Sequence, residues 1–116
     1  MTLTFVETSG FTEAIGEYFQ TDEHYLKLQA ELLRNPEAGA VIPGTGGLRK
    51  VRWPDMRRSK GKRGGLRIIY LHIPATNFVG FVDVYAKNEA DDLTPAGKQT
   101  LSALAALLRQ HYGKPW

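Results

Sequence analysis

Gly65-Leu66-Arg67-Ile68-Ile69-Tyr70-Leu71-His72-Ile73 and Phe78-Val79-Gly80-Phe81-Val82-Asp83-Val84-Tyr85-Ala86 are separated only by Pro74-Ala75-Thr76-Asn77. Both runs are rich in β-branched and aromatic residues, and the connection has turn chemistry, so they predict two adjacent antiparallel strands at the centre of a sheet. Upstream, Leu48 to Trp53 mixes cations with apolar residues and reads as a third, half-buried strand. In a period-2 element Val51 and Trp53 share one face with Arg49 at its outer end, while Lys50 and Arg52 share the other. That pair therefore points away from the core that Val51 and Trp53 enter.

Further out the pattern becomes helical. Leu3 to Val6 predicts a short strand. Thr8 or Ser9 then caps a helix running to about Phe19, with Phe11, Ala14, Ile15, Tyr18 and Phe19 as its apolar stripe. Thr21 caps a second helix that carries Asp22 and Glu23 in its first turn and stops after Arg34 at Asn35-Pro36. Tyr25, Leu28 and Leu32, with Leu26, Ala30 and Leu33, form its expected buried side, and the short link predicts a helical hairpin. Ala40 to Ile42 allows a short extra strand. Pro43 to Gly47 is loop, and residues 54 to 65 read as an exposed, mobile connection, too polar and glycine-rich to pack. Thr94 and Pro95 open a final helix whose Leu101, Leu104, Ala105 and Leu108 are spaced to lie on the sheet, with Gly113 and Pro115 closing it. The order β-α-α-β-β-β-α segregates strands from helices. It predicts a single α+β domain over residues 1–116: an antiparallel sheet flanked by an N-terminal helical hairpin and a C-terminal helix.

Charge distribution points to the partner. The chain has 15 Lys and Arg against 12 Asp and Glu. Nine of those cations, Arg49, Lys50, Arg52, Arg57, Arg58, Lys60, Lys62, Arg63 and Arg67, lie between Leu48 and Arg67 with the single acid Asp55. A chain that is net acidic everywhere else has concentrated its positive potential, as suits a polyanion. There is no cysteine, which excludes disulfides and thiolate zinc sites. No run is long and apolar enough to span a membrane, and the N-terminus lacks signal-peptide features, so a cytoplasmic location is expected. His24, His72 and His111 are far apart on different elements, so no metal site is expected, and no Gly-x-Ser-x-Gly elbow is present. Pro43-Gly-Thr-Gly-Gly47 leads into a strand rather than a helix, which argues for a turn and against a phosphate loop.

The basic face suits RNA cleavage. When a ribose 2′-hydroxyl attacks the neighbouring phosphorus, charge builds on the phosphoryl oxygens, and fixed cations stabilise it. The reaction also needs proton transfer at the 2′ and 5′ oxygens, for which Lys50, Lys62, Lys87, Tyr70 and Tyr85 are the candidates. Arg67 lies within an apolar strand, where a cation needs a partner or a task; an ion pair with Asp83 or Glu89 is the structural alternative.

Three stretches together carry a family resemblance: Gly44-Thr-Gly-Gly-Leu-Arg-Lys-Val-Arg52, Lys60-Gly-Lys-Arg-Gly-Gly-Leu-Arg-Ile-Ile-Tyr70, and Tyr85-Ala-Lys-Asn-Glu89 followed by Asp92-Leu93-Thr94. Over nearly its whole length the chain resembles the HigB-like branch of the RelE toxin superfamily. The resemblance implies a RelE-like fold and the toxin of a type II toxin-antitoxin system, a ribosome-dependent messenger endoribonuclease that uses no cofactor. It implies as partners the ribosome and its messenger, a cognate antitoxin with a DNA-binding domain, and operator DNA through the toxin-antitoxin complex. Carried over by position, Lys50, Arg52 and Arg67 are catalytic, with Lys87, Tyr85 and Tyr70 as further catalytic candidates. Arg49, Arg57, Arg58, Lys60, Lys62, Arg63 and Asn88 are expected to bind RNA or the ribosome. Some relatives carry an arginine near the position of Asn88. A ParE-like toxin on the same scaffold, which binds and inhibits DNA gyrase without cutting RNA, is the alternative.

Overall fold

The computed structural model describes residues 2–63, 65–89 and 93–114. The elements run β1 (Thr4–Glu7), α1 (Ser9–Tyr18), α2 (Asp22–Arg34), β2 (Ala40–Val41), β3 (Arg49–Trp53), β4 (Leu66–Ile73), β5 (Phe78–Ala86) and α3 (Pro95–Tyr112). The domain is α+β, with five strands in the order β1-β5-β4-β3-β2. Each helix starts where a threonine can satisfy an otherwise orphaned amide: the side chains of Thr8, Thr21 and Thr94 accept from the N–H groups of Phe11, His24 and Gly97. Gly113 ends α3 as expected, whereas Pro115 lies outside the described residues.

The sheet is mixed rather than wholly antiparallel. β2, β3, β4 and β5 pair antiparallel in sequence, but β1 runs parallel to β5, with Thr4 beside Phe78 and Glu7 beside Phe81. The chain leaves β1 through α1 and α2 and returns at the far side of the sheet, so β1 is left to fill the outer edge of β5.

Each face of the sheet carries its own core. Val51, Trp53, Leu66, Ile68, Tyr70, Val79, Phe81, Val84 and Ala86 pack against Phe11, Tyr18, Tyr25, Leu28 and Leu32 of the first two helices. On the opposite face Ile69, Leu71, Ile73, Phe78, Val82 and Tyr85 pack against Ala105 and Leu108 of α3. The α1 and α2 helices meet through Phe11 and Phe19, whose ring centroids lie 6.0 and 5.3 Å from that of Tyr25. Only one of the two expected stripes on α2 is buried. Leu28 and Leu32 are fully enclosed, whereas Leu26 is 58% and Leu33 39% exposed, because a helix resting on one sheet face buries about a third of its circumference.

A β-bulge decides which side chains share a face. Ile69 pairs with Asp83 and Tyr70 with Phe81, so Val82 is an extra residue in β5. Before it, Val79 and Phe81 enter the α1/α2 core; after it, Val84 and Ala86 do. Asp83 and Tyr85 are thereby turned to the α3 face, where strict alternation from Phe78 would have put Val84.

Candidate nucleic-acid site

The two central strand pairings place the strand cations together. Lys50 lies opposite Ile69, which lies opposite Asp83; Arg52 lies opposite Arg67, which lies opposite Tyr85. Directly opposed residues project from the same face. Lys50, Arg52, Arg67, Asp83 and Tyr85 thus form two adjacent rungs on the α3 side, at the end of the sheet away from Phe78. Arg52 is exposed and Lys50 half-buried, while Arg67 and Tyr85 on the neighbouring strands are 5% and 8% exposed. Lys87 and Asn88 follow at the exposed end of β5, where the Lys87 amide donates to the Gly65 carbonyl at 3.0 Å and holds this turn against the start of β4.

Arg67 takes neither of the expected counter-ions. Its Nη1 donates to the carbonyls of Lys62 at 3.1 Å and Leu66 at 3.4 Å, and its Nη2 to Arg63 at 2.8 Å. Burial, then the charge of neighbouring Arg52, pushes its pKa below the ordinary arginine value. Arg67 therefore fastens the end of the basic loop to the sheet and contributes positive potential from the strand next to Arg52. Arg52 stands outside it, open to a ligand.

A groove of about 440 Å³ runs along the adjoining edge of β3, lined by Lys50, Arg52, Trp53 and Lys62 together with Glu31 and Asn35 at the end of α2. It opens because β2 pairs only with Arg49 and Lys50, which leaves Val51 to Trp53 at the sheet edge. Lys62 Nζ sits 5.6 Å from the centroid of the Trp53 ring. Lys50, Arg52 and Lys62 along this groove suit the anionic backbone of a nucleic acid, while Trp53, 8% exposed, belongs mainly to the core beneath.

The basic loop is pinned rather than mobile. Asp55 is fully buried; its Oδ1 accepts from Arg57 Nε and the Arg57 amide, both at 3.1 Å, and its Oδ2 from Arg57 Nη2 at 3.0 Å and Arg58 Nε at 2.9 Å. Backbone bonds between Asp55 and Lys60 close the turn, with Ser59 at φ 52°. Burial alone would raise the Asp55 pKa, but hydrogen bonds and charge from Arg57 and Arg58 outweigh it and bring it down to about 2. Arg57 lies 4.5 Å above the Tyr18 ring centroid, and the Tyr18 hydroxyl donates to Glu89 at 2.7 Å. Arg57 and Arg58 are thus committed to Asp55 and hold the loop in shape. Lys60, Lys62 and Arg63 remain as its exposed cations.

Two expected site residues lie elsewhere. Tyr70 is completely buried on the opposite face; its hydroxyl accepts from the Gly39 amide at 2.9 Å and donates to the Pro36 carbonyl at 2.8 Å. Its parity with Leu66 and Ile68 puts it there, so it is a tether for residues 36–39. Arg49 shares that face and donates to the Gly39 carbonyl at 2.7 Å. Tyr70→Phe should leave a buried amide unsatisfied and cost about 1–2 kcal/mol in thermal or chemical unfolding, with no change in RNA binding. Gly39 is required at this junction because a Cβ would stand 2.9 Å from both the Lys50 backbone and the Tyr70 ring.

The Pro43–Gly47 segment is a turn under α3. Gly44, Gly46 and Gly47 have positive φ, Thr45 is buried, and Arg109 donates to the Gly46 carbonyl at 3.0 Å. Among the described residues no three His, Asp or Glu side chains converge as a metal-binding group, and no helix is long and apolar enough to cross a membrane. No protein-family model matches the chain.

Sequence reasoning missed Asp55 as the organiser of the loop; the available signal was a lone carboxylate within a basic run, where it needs a purpose.

Proposed function

We propose that this chain is a metal-independent endoribonuclease acting on single-stranded RNA. Its motifs extend the reading to a RelE/HigB-like toxin that cuts messenger on the translating ribosome and is neutralised in the cytoplasm by an antitoxin with a DNA-binding domain. The observation that supports cleavage best is the placement of Lys50 and Arg52 on the same face as Arg67 and Tyr85, beside a groove lined by Trp53 and Lys62.

In this reading the RNA backbone follows the groove onto the β3–β4–β5 face. Arg52 and Lys50 contact the phosphate, and Arg67 adds charge from the neighbouring strand while it fixes the loop. As the 2′ oxygen attacks, these cations stabilise the extra charge on the phosphoryl oxygens. Lys87 stands at the edge of the face as proton donor to the departing 5′ oxygen. Docking is assigned to Lys60, Lys62 and Arg63, with Asn88 at the neighbouring turn.

The purified protein should cut messenger on programmed ribosomes and leave 2′,3′-cyclic phosphate and 5′-hydroxyl ends. Intact messenger, or cuts with 5′-phosphate ends, would contradict the proposal. The docking assignment has its own readout: in a titration against single-stranded RNA, replacing Lys60, Lys62 and Arg63 by glutamine should flatten the slope of log affinity on log salt by about 2, at ~0.7 per lost phosphate contact.

A further inference from the structure

Trp53 lines both the cationic groove and a second cavity, of about 370 Å³, formed where the start of α2 faces the end of β3 and the basic loop. His24, Trp53, Pro54 and Met56 give this cavity apolar walls, and Gln20, Glu23 and Lys27 a polar rim. The ring nitrogens of His24 and Nε1 of Trp53 are enclosed, which leaves carbon surface facing the cavity. Burial, the largest influence on His24, lowers its pKa, so the ring is uncharged at neutral pH. Met56 is 53% exposed, yet its backbone is fixed. It lies between Asp55, whose amide and carbonyl bond to Lys60 at 2.8 and 3.0 Å, and Arg57, whose amide donates to Asp55 Oδ1. A large apolar side chain is thus held out of the core on a pinned turn.

The rim is electrically balanced, since Lys27 Nζ and a Glu23 oxygen lie 3.5 Å apart. The groove instead carries Lys50, Arg52 and Lys62 against Glu31. The two compartments suit two parts of one nucleotide chain: the cationic groove its phosphate, the neutral apolar cavity a base. Arg52 and Pro54 are two residues apart on extended backbone, ~7 Å, about the length of one nucleotide. The volume is at the low end of the range for small-ligand pockets, about 300–1,000 Å³, which suits one base rather than a stack.

We propose that this cavity is a base-binding subsite: the nucleotide next to the phosphate held by Lys50 and Arg52 lodges its base against Met56, Pro54 and the His24 ring, with its edge toward the polar rim. The inference rests on the reading of the groove as an RNA site and concerns residues that the family resemblance does not assign. Contact is with the faces of the base, so all four bases enter.

Met1 is the only other methionine, which makes the Met56 methyl group a single assignable NMR probe. With a 2′-O-methyl hexaribonucleotide, which cannot be cut through its 2′ oxygen, that signal should shift. Wild type should bind this strand about 10-fold more tightly than a strand of six base-free residues. Met56→Asn should lower the preference to about 3-fold or less and Met56→Leu should keep it, each with the affinity for the base-free strand unchanged. Binding of the hexanucleotide with an unmoved Met56 signal, or equal affinity for the two strands, would overturn the subsite and leave the cationic groove standing. Binding of neither strand would overturn the RNA reading and the subsite together. The expected binding without cleavage on ribosomes would support the subsite and remove the nuclease.

Discussion

Replacing Arg52 by alanine is expected to lower the single-turnover rate of RNA cleavage by about 10²-fold or more, the effect of removing one fixed donor from a charge-developing transition state. Lys50→Ala should act in the same direction. Both side chains stand on the outward face of β3, opposite Arg67 and Ile69, and make no contribution to the α1/α2 core, so the fold should survive. Circular dichroism and unfolding midpoints close to wild type would confirm that the loss is chemical. Arg67→Ala is a less clean variant, because its guanidinium also holds the carbonyls of Lys62 and Arg63. A loss of rate there would combine lost charge with a displaced loop.

The largest expected effect on stability lies at Asp55. Asp55→Ala removes a fully buried carboxylate and leaves Arg57 and Arg58 without their shared partner. Breaking a buried ion pair from one side costs about 3 kcal/mol or more, which in a domain of this size lowers the melting temperature by roughly 10 °C. The pH dependence has a defined sign. Asp55 has a folded pKa depressed to about 2, so its contribution is complete above the unfolded carboxylate value of about 3.9 and is lost as pH falls through 2. The stability gap between wild type and Asp55→Ala should therefore be full at pH 5 and shrink between about pH 4 and pH 2. A gap that stays constant over that range would remove the ion pair from the explanation.

What was legible in the sequence was what local chemistry dictates. Thr8, Thr21 and Thr94 announced the helix starts because a hydroxyl before an apolar stripe satisfies a nearby amide. The bounds of β5 followed from its β-branched and aromatic run, and the opposition of Lys50 and Arg52 to Val51 and Trp53 followed from strand period alone. The bulge at Val82 was not legible: Phe78 to Ala86 is apolar on both faces, so a skipped residue leaves no break in the pattern. Tyr70 could not be separated from Tyr85 by composition, since their difference is one of face. The clamp on Asp55 depends on a turn that brings Arg57 and Arg58 back upon it, and a run of cations reads as solvated until that turn is seen. The parallel placement of β1 likewise depends on where the chain returns after two helices.

The most direct test of the account is a short pulse of expression in a bacterial host with genome-wide mapping of messenger 5′ ends, for wild type, Arg52→Ala and Lys50→Ala. Growth arrest with new cuts inside translated messages is expected for wild type, and neither for the two variants at equal protein level. Growth arrest with intact messages and failing DNA supercoiling, unaffected by either substitution, would contradict it and assign the chain to the gyrase-binding class.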